Sequence, residues 1–538
     1  MPRTLIPLLL LLVALAGQAQ TPEPSVEDEC TLQGVVVSAA AGEPLRKAAV
    51  LLCRAGTSNQ CSGTVTNAAG QFEMKGVSPG AYQLSATCTG YIETRYGQRT
   101  SSGAGSILYF SRGQKASGLS LRLTPAAVIY GHVYDEDGAP LADAVVSEVH
   151  PVYIKGQRQL RASAVAITND RGEYRLWGLN PGLHFVLAEY NPLRQAAVRR
   201  EIGYLPTFYP GVPDVAHAGP IVVQGGDEFS GADVNLQPSR TVCVRGRVFG
   251  GQDLRVFLIL RDISAFGDLV PPVYAQIANG DFELNNVTPG QYFLYAMGGD
   301  GRGRMAARQT LDVGDTDINR VNVMLGRSMH LEGSIRSEGT SYSRPPAGIQ
   351  INLVPRSGRM FVGQAPSAVT NAAGSFTFDE VYPGDYDIQV GTDGSFYVKS
   401  ARLDGVDVLV RGLDTAFFTS PRGLDIAISS NGAIIDGVVS KGDELYAGAT
   451  VALVPDPPRR EQTYLYQSTS TDQSGRYFIP AVPPGNYKLF AWESVENAAY
   501  TSSDFLRTFE LRGGAVHVLE GEHATANLQV IPKAEVGE

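Results

Sequence analysis

The sequence predicts an all-β fold of five tandem β-sandwich domains that follow a signal peptide. A nineteen-residue pattern occurs five times, and no long helical periodicity appears after the first twenty residues. The chain has 538 residues with 60 Gly, 32 Pro, 24 Tyr and 20 Phe, which favours many turns that join short strands. A chain of this length is too long to fold around a single hydrophobic core.

The five copies share one glycine and a Pro-Gly pair that begins nine residues after it. The copies start at Thr66, Thr168, Gln276, Thr370 and Thr471, and the shared glycines are Gly70, Gly172, Gly280, Gly374 and Gly475. In four copies an Asn or Asp three residues before the glycine predicts a type I turn that a left-handed glycine closes, whereas Asn279-Gly280 predicts a tighter turn. The Pro-Gly pair predicts a type II turn between two half-buried strands.

Each copy also has a Gly-led β-run about forty residues upstream and an alternating strand downstream. About seven short strands per hundred residues are typical of an immunoglobulin-like or transthyretin-like sandwich. The predicted domains are a signal peptide at 1–19, a linker at 20–29, sandwiches at 30–124, 125–238, 239–326 (a degenerate copy), 327–430 and 431–533, and a tail at 534–538.

The order G-x-V-x, G-x-P-L-x-x-A-x-V, T-(N/D)-x-x-G-x-(F/Y) and V-x-P-G-x-Y-x-L resembles the carboxypeptidase regulatory-like domain. The resemblance covers essentially the whole mature chain and is weakest in the third copy. It implies a transthyretin-like sandwich, related to the Cna B-type and carbohydrate-binding-like folds. It also implies an accessory role without catalysis, because such domains accompany peptidases, outer-membrane receptors and secreted surface proteins. The peptidase domain itself has no counterpart here.

The N-terminus has the features of a secretory signal. Arg3 supplies the positive charge, residues 5–16 form an apolar run, and Gly17-Gln18-Ala19 provides small residues for cleavage. We expect a mature chain that starts near Gln20, contains no membrane span, and is secreted, periplasmic or held at the cell surface.

Export permits disulfides, and four of the five cysteines fall in the first hundred residues. Cys53 and Cys61 suit a clasp across a hairpin, which would leave Cys30 to pair with Cys88. Buried free thiols are the alternative for these four. Cys243 stands alone and is expected to be a buried thiol.

No catalytic, cofactor or metal site is expected. His517-x-x-Glu520, followed by His523, resembles the first two zinc ligands of a metallocarboxypeptidase, but only fifteen residues follow His523, and no third ligand is available. Lys441 and Asn527 are the one pair that could form an isopeptide bond, although Lys441 precedes an apparent surface turn. The net charge of −10 and the lack of a basic stripe argue against a nucleic-acid partner.

The longest loops lie in the second copy and combine cationic with aromatic side chains. The candidate binding face consists of Tyr153, Arg158, Arg161, Arg199, Arg200, Tyr204, Phe208 and Tyr209. Such loops suit a sugar or an anionic polymer, and the alternative is that they pack on the sandwich or its neighbour. In the same copy His184 replaces the core tyrosine and is expected to be packed and hydrogen-bonded.

These observations favour a secreted, non-catalytic binding or scaffold protein whose partner is an extracellular glycan or an envelope protein. An array of carbohydrate-binding modules is the alternative, and an enzyme associated with metallocarboxypeptidases is the weakest of the three hypotheses.

Overall fold

The computed structural model describes residues 29–55, 61–98, 105–190, 199–260, 272–300, 303–338, 347–356, 365–392, 394–415, 423–457 and 459–536. In this part the chain is almost entirely β-structure, with two short α-helices near the C-terminus, α1 (Ser503–Phe509) and α2 (Lys533–Val536). Main sheets face each other in pairs around five buried apolar clusters. The predicted all-β architecture of tandem sandwiches is confirmed.

The first sandwich shows the arrangement that the others vary. Its strands are β1 (Cys30–Ser38), β2 (Ala49–Arg54), β3 (Cys61–Val65), β4 (Gln71–Val77), β5 (Gly80–Thr87), β6 (Thr94–Arg95), β7 (Leu108–Phe110) and β8 (Lys115–Leu123). One sheet has the order β4-β1-β8, and the other has the order β3-β2-β5-β6, with β7 also paired to β5. Because side chains alternate along a strand, Leu32, Phe72 and Leu84 enter the core while their neighbours face outward.

The second and third sandwiches follow the same plan. The second contains β9 (Ala127–Tyr134), β10 (Val145–Ile154), β11 (Gln157–Ile167), β12 (Glu173–Leu179), β13 (Gly182–Glu189), β14 (Ile202–Leu205), β15 (Thr207–Phe208), β16 (Ile221–Val223), β17 (Glu228–Ser230), β18 (Val234–Asn235) and β19 (Gln237–Arg240). The third contains β20 (Val242–Phe249), β21 (Gln252–Leu260), β22 (Val273–Tyr274), β23 (Gln276–Ala278), β24 (Asp281–Val287), β25 (Gly290–Gly299), β26 (Arg304–Val313), β27 (Ile318–Met324) and β28 (Gly326–Arg327).

The fourth and fifth sandwiches complete the chain. The fourth contains β29 (Met329–Glu338), β30 (Gln350–Pro355), β31 (Ser367–Val369), β32 (Ser375–Val381), β33 (Asp385–Val390), β34 (Tyr397–Leu403), β35 (Val406–Asp407), β36 (Leu413–Asp414) and β37 (Gly423–Ser429). The fifth contains β38 (Ala433–Lys441), β39 (Glu444–Leu445), β40 (Thr450–Pro455), β41 (Gln467–Ser470), β42 (Arg476–Val482), β43 (Gly485–Trp492), β44 (Gly514–Val518), β45 (His523–Thr525) and β46 (Leu528–Gln529). The strands change from one sandwich to the next at 124–126, 241, 328 and 430–432, and we propose these changeovers as the domain boundaries.

In every sandwich the first strand pairs in parallel with a strand near the end of the same unit. The pairs are β1 with β8, β9 with β17 and β18, β20 with β27, β29 with β37, and β38 with β45 and β46. The first strand also pairs antiparallel with the strand that follows the repeated turn, as β1 does with β4. The first strand is therefore central in its sheet.

The repeated turn is held by its threonine and by its Asn or Asp. In the first sandwich the buried hydroxyl of Thr66 accepts a hydrogen bond from the Ala48 N–H (2.9 Å) and donates one to the carbonyl of Leu45 (2.5 Å). The Asn67 side chain accepts from the backbone N–H groups of Ala69 and Gln71, each at 2.9 Å. The same threonine contact to a backbone N–H is made in three other copies, by Thr168, Thr370 and Thr471.

All five shared glycines adopt positive φ, between 70° and 87°, as the turn pattern requires. In the third copy Asn279 (φ 52°) and Gly280 (φ 87°) are both left-handed, and Ala278 pairs with Asp281 across them. This is the geometry of a two-residue type I′ hairpin, so the tighter turn that the sequence predicts is present.

In four of the five sandwiches the glycine of the first strand lies beneath an aromatic ring. A β-carbon at Gly34 would stand 2.4 Å from the Leu119 carbonyl oxygen and 2.6 Å from the ring of Phe72. Similar crowding occurs at Gly246 and Gly333. The glycine is therefore required by the close approach of a ring and a neighbouring strand, not by its own φ.

The prediction of a type II turn at the Pro-Gly pair is wrong. In four copies the glycine has φ between 145° and 159°, whereas a type II turn places its glycine near 80°. The fourth copy, at Gly384, has no left-handed φ at all. In those four copies the glycine has a positive φ that other residues rarely adopt, and the next strand begins at this glycine and lies in the opposite sheet.

A hydrogen bond from the following tyrosine fixes this connection instead. In four sandwiches the tyrosine hydroxyl donates to the carbonyl four residues earlier, at 2.8–2.9 Å, from Tyr82, Tyr292, Tyr386 and Tyr487. In the second sandwich Nε2 of His184 takes this place, 2.8 Å from the carbonyl of Asn180. The prediction of a packed, hydrogen-bonded His184 is confirmed.

Cys53 and Cys61 form the predicted disulfide at directly opposed positions of β2 and β3. Cys30 and Cys88 are both free, so the second predicted bridge is wrong. Cys30 pairs with Val77 beside the start of β5, and Cys88 follows the far end of that strand. Eight extended residues span about 25 Å, and a disulfide requires Cα atoms within roughly 7 Å. Cys243 is buried and free, as expected.

A helix that the sequence pattern does not reveal covers one outer face of the fifth sandwich. Leu506 and Phe509 of α1 pack on Phe490 and Trp492 of β43 and bury all four side chains. Trp492 stacks on Phe490 with ring centroids 5.3 Å apart. Within the described residues, no helix has the length and apolar character that a membrane crossing requires. The expected signal peptide lies outside the described residues.

Gly172→Ala and Gly178→Ala separate backbone strain from steric contact. Both glycines have φ between 71° and 79°, but a β-carbon would stand 2.7 Å from the Val133 carbonyl oxygen at Gly172 and meets nothing within 4 Å at Gly178. Both variants carry the left-handed strain of about 1–3 kcal/mol. We expect the second sandwich to melt several degrees lower in Gly172→Ala than in Gly178→Ala, at about 4–8 °C per kcal/mol. Equal decreases in melting temperature, measured by calorimetry, would show that the contact between the new β-carbon and the Val133 carbonyl is unimportant.

Thiol titration of the unfolded, unreduced protein should find three reactive cysteines out of five, because one disulfide is present. After reduction the count should be five. A count of one reactive cysteine before reduction would instead show that Cys30 and Cys88 form a second disulfide.

Candidate functional site

The candidate binding face of the second sandwich is not assembled on one surface. Its first part lies on the hairpin of β10 and β11, which reaches the fourth and fifth sandwiches. The Tyr153 ring lies 6.0 Å from that of Phe505 in α1, and the Gly156 N–H donates to the Thr501 hydroxyl (3.1 Å). At the tip of the hairpin, Lys155 forms an ion pair with Asp387 of the fourth sandwich.

The two other cations of this hairpin have separate neighbours. Arg158 lies directly opposite Tyr153 in the ladder, and its charge acts on Glu496 of the fifth sandwich. Burial, which outweighs this charge, raises the pKa of Glu496. Arg161 lies opposite His150. These side chains thus belong to the contact between the second and fifth sandwiches or lie beside it.

The second part of the candidate face contacts the third sandwich. Arg199 donates to the Asp317 carboxylate (3.2 Å), and the Arg200 N–H donates to the Asn286 side chain (2.8 Å). The pKa of Asp317 is lowered, chiefly by its hydrogen bond from the Cys243 N–H. Arg199 and Arg200 therefore join the second sandwich to the third.

The three aromatic residues of the second loop pack inward. Phe208 is 3% exposed and packs with Val149, Leu187 and Leu260, the last of which belongs to the third sandwich. Tyr204 donates to Glu136 within its own sandwich, and Tyr209 packs on the core of that sandwich. The structure therefore does not bring the residues of the candidate face together on one surface. The packing alternative describes these loops better, because their residues contact neighbouring sandwiches or pack on the core of their own.

A buried polar cluster beneath the β10–β11 hairpin is the feature that sequence analysis missed. Nδ1 of His184 lies 2.5 Å from a carboxylate oxygen of Glu148, and Nδ1 of His150 lies 3.0 Å from the same oxygen. The Ser163 hydroxyl donates to the other oxygen. The side chain of Glu148 is fully buried and that of His184 is 6% exposed. The signal for this cluster is His184 at the tyrosine position, together with a charged residue in the apolar stretch of β10.

The cluster contains Ser, His and carboxylate groups, but not in a catalytic order. In a catalytic triad the histidine lies between the serine and the carboxylate. Here Glu148 lies in the centre, and Ser163 bonds to the carboxylate. Both ring nitrogens of His184 face oxygen acceptors, so neither is available as a base. The arrangement places a buried histidine–carboxylate hydrogen bond where the other sandwiches have a tyrosine.

The electrostatics of the cluster favour an ionised Glu148. Burial alone would raise its pKa, but hydrogen bonds from His150, His184 and Ser163 and the charge of His150 lower the pKa to about 2. The hydrogen bond to Glu148 raises the pKa of His150. Below its ordinary pKa, His150 therefore contributes stability that is lost as the pH rises through the raised value.

The residues that resemble a zinc motif are directed to different partners. His517 Nδ1 lies 2.6 Å from the Asn486 side-chain oxygen, and His523 Nε2 lies 2.8 Å from Asp436. Glu520 accepts hydrogen bonds from the fourth sandwich, from Tyr397 (3.1 Å) and Ser429 (3.0 Å). Among the described residues, no group of three or more His, Cys, Asp or Glu side chains could hold a metal ion.

Two further sequence candidates have structural partners. Lys441 forms an ion pair with Glu493 (2.5 Å), and the side-chain oxygen of Asn527 accepts from the Val438 N–H (3.2 Å). These contacts do not join Lys441 to Asn527. In the second sandwich, Asp135 accepts hydrogen bonds from the backbone N–H groups of Asp137 and Ala139 in its own loop.

Fold and local motifs together define a tandem β-sandwich protein of the type that carries regulatory-like domains. Residues 31–109 match the carboxypeptidase regulatory-like domain, and residues 329–405 match the second β-sandwich domain of the NOMO1-like subunit of the BOS complex. The resemblance drawn from the sequence is thereby confirmed for the first repeat, and the fourth repeat matches a related β-sandwich family. None of the curated proteins matches the sequence.

Several solved structures show a distant likeness to this chain. The Bacillus anthracis TIE protein is 12% identical over 55% of this chain and 51% of its own, with a TM-score of 0.17. The chain thus spans about half the length of that protein. The minor pilin GBS52 of Streptococcus agalactiae is 11% identical over 38% of this chain and 94% of its own, with a TM-score of 0.23. The major pilin subunit BcpA of Bacillus cereus is 8% identical over 75% and 99%, with a TM-score of 0.16. Scores of this size do not establish a common arrangement of the sandwiches.

Glu148→Gln should destabilise the second sandwich at pH 7 by about 3 kcal/mol, because the buried hydrogen bonds from His150, His184 and Ser163 lose their carboxylate acceptor. Since the pKa of Glu148 falls from 4.5 to about 2 on folding, its contribution is complete above pH 4.5 and is lost as the pH falls towards 2. The difference in melting temperature between the two proteins should therefore shrink over that range. Glu228→Gln, which alters an exposed ion pair with Arg175, is the control and should change little. A difference that does not vary with pH would contradict the ionised cluster.

Proposed function

We propose that this chain is a non-catalytic protein of the cell envelope or extracellular space, in which five sandwiches form a scaffold that holds a partner. One observation carries the proposal: the hairpin of β10 and β11 contacts sandwiches that are not its neighbours in sequence. Lys155 reaches Asp387 in the fourth sandwich, and Tyr153 reaches Phe505 in the fifth. A protein of independent domains on linkers has no need of such contacts, whereas a scaffold with a fixed geometry does.

The use of the histidines also supports a non-catalytic role. His132 contacts Asp233 on the strand surface of the second sandwich, as His523 contacts Asp436 in the fifth. His184 is engaged through both ring nitrogens. In each case the imidazole joins segments of the same sandwich. These structural contacts explain the presence of the histidines without a catalytic role.

An array of equivalent carbohydrate sites receives less support. Trp177 is 71% exposed on the outer face of β12 and is the kind of side chain on which a sugar stacks. The equivalent positions of the other copies hold Lys75, Asn285, Asp379 and Pro480. A repeated site would require an aromatic residue in several copies, so the scaffold hypothesis is preferred to the array.

Binding to isolated cell envelopes of the source organism tests the proposal. We expect the tagged mature chain to co-sediment with them saturably, and His517→Ala/Glu520→Gln to bind equally well, because these residues have only structural contacts. The proposal would be contradicted if the unmodified protein released C-terminal residues from peptides in a zinc-dependent reaction that this double variant cannot perform. Failure to co-sediment would contradict it as well.

A further inference from the structure

A cleft of about 510 Å³ lies between the first and fifth sandwiches, the two ends of the chain. Its walls include Tyr109 from β7 on one side and Phe478 from β42 on the other. This volume falls within the range of roughly 300–1,000 Å³ that is typical of small-ligand sites. The residues that line this cleft belong neither to the loops of the second sandwich nor to the buried Glu148 cluster.

The two walls are in direct contact beside the cleft. A β-carbon at Gly448 of the fifth sandwich would stand 2.6 Å from the carbonyl oxygen of Gly97 in the first. Tyr109 lies close enough to Asp472 for that charge to add to the effect of burial, and together they raise the pKa of its hydroxyl. The cleft is therefore a composite of both ends of the chain.

Two aromatic rings remain about half exposed on these walls. Tyr109 is 51% exposed and Phe478 is 48% exposed, although each follows a core residue in its strand. Strand alternation sends Leu108 and Tyr477 inward and leaves Tyr109 and Phe478 on the cleft side. Exposed rings on both sides of one cleft are typical of a binding site rather than of ordinary packing.

Polar groups with fixed positions accompany the rings. Asp436 is held by His523 and Thr525, each at 2.8 Å. Asn527 uses its amide oxygen for a backbone N–H, which leaves its NH₂ group as a donor. In the part of the chain that the structure describes, the guanidinium of Arg476 makes no hydrogen bond or ion pair. The cleft thus offers oriented donors and acceptors.

The charges of the cleft favour an uncharged ligand. Two carboxylates, Asp436 and Asp472, lie beside one cation, Arg476. This balance is unfavourable for nucleic acid or another polyanion. A sugar ring has an apolar C–H face that suits an aromatic ring and hydroxyls around its edge that suit carboxylate, amide and guanidinium groups.

We propose that this cleft binds a neutral oligosaccharide, with Tyr109 and Phe478 stacked on its sugar rings and with Arg476, Asn527 and the carboxylates bonded to its hydroxyls. The inference rests on the proposed function of an extracellular binding scaffold and names its ligand class. Because the site is composite, the glycan contacts the first and last sandwiches at once and stabilises their contact.

Calorimetric titration of the full mature chain with hexamers of glucose (α- and β-linked) and of N-acetylglucosamine tests this assignment. We expect at least one of them to bind, and Tyr109→Ala and Phe478→Ala each to weaken the affinity about tenfold, as loss of one stacked ring requires. Trp177→Ala, which removes an exposed ring outside the cleft, is the matched control and should bind normally. Unchanged melting temperatures would show that all three variants are folded.

Four results would overturn the assignment. The first three are no binding to any of the three hexamers, binding that both cleft variants retain, and binding that only Trp177→Ala loses. The fourth is the binding of an unglycosylated peptide that displaces the hexamer from the cleft, which would refute the ligand class. If co-sedimentation with envelopes persists in Tyr109→Ala and Phe478→Ala without glycan binding, this inference fails while the proposed scaffold function stands.

Discussion

The buried threonine hydroxyl at the start of the repeated turn holds four of the five sandwiches together where the chain passes between sheets. In the first sandwich, Thr66 connects the end of β3 to the segment before β2, and the turn then delivers the chain to β4 in the other sheet. A buried hydroxyl that both donates and accepts incurs no desolvation penalty. The third sandwich has Gln276 instead of threonine at this position and forms a two-residue hairpin. Its strand β23 therefore lies in the same sheet as β24, whereas β3 of the first sandwich lies in the sheet opposite β4.

Local chemistry explains why so much of the fold could be predicted. Asn67 and Gly70 define their turn through contacts within four residues, so the sequence alone indicates the turn and the left-handed glycine. Strand alternation equally identifies Phe72 as a core residue. The Cys53–Cys61 bridge also follows from a short hairpin. Each of these inferences needs only the spacing of neighbours along one strand or turn.

Apart from the local turn at the Pro-Gly pair, the predictions that failed concern residues that are brought together over long distances. Whether Cys30 can reach Cys88 depends on which end of β5 lies beside β1, and no local pattern gives that information. The loops around Tyr153 and Arg199 have the composition of a binding surface, yet their partners lie in other sandwiches. Interfaces and binding sites use similar residues, so composition could not distinguish them. Likewise, Glu148 is explained only by His184 on another strand.

The parallel pairing of first and final strands has a mechanical consequence. When the two ends of such a unit are pulled apart, β1 and β8 slide past one another, and the hydrogen bonds between them are loaded together in shear. A hairpin pulled at its open end would instead lose its bonds one by one, at lower force. The same pairing recurs in all five sandwiches. A chain anchored at one end and bound at the other would therefore transmit tension through its sandwiches before any of them unravels.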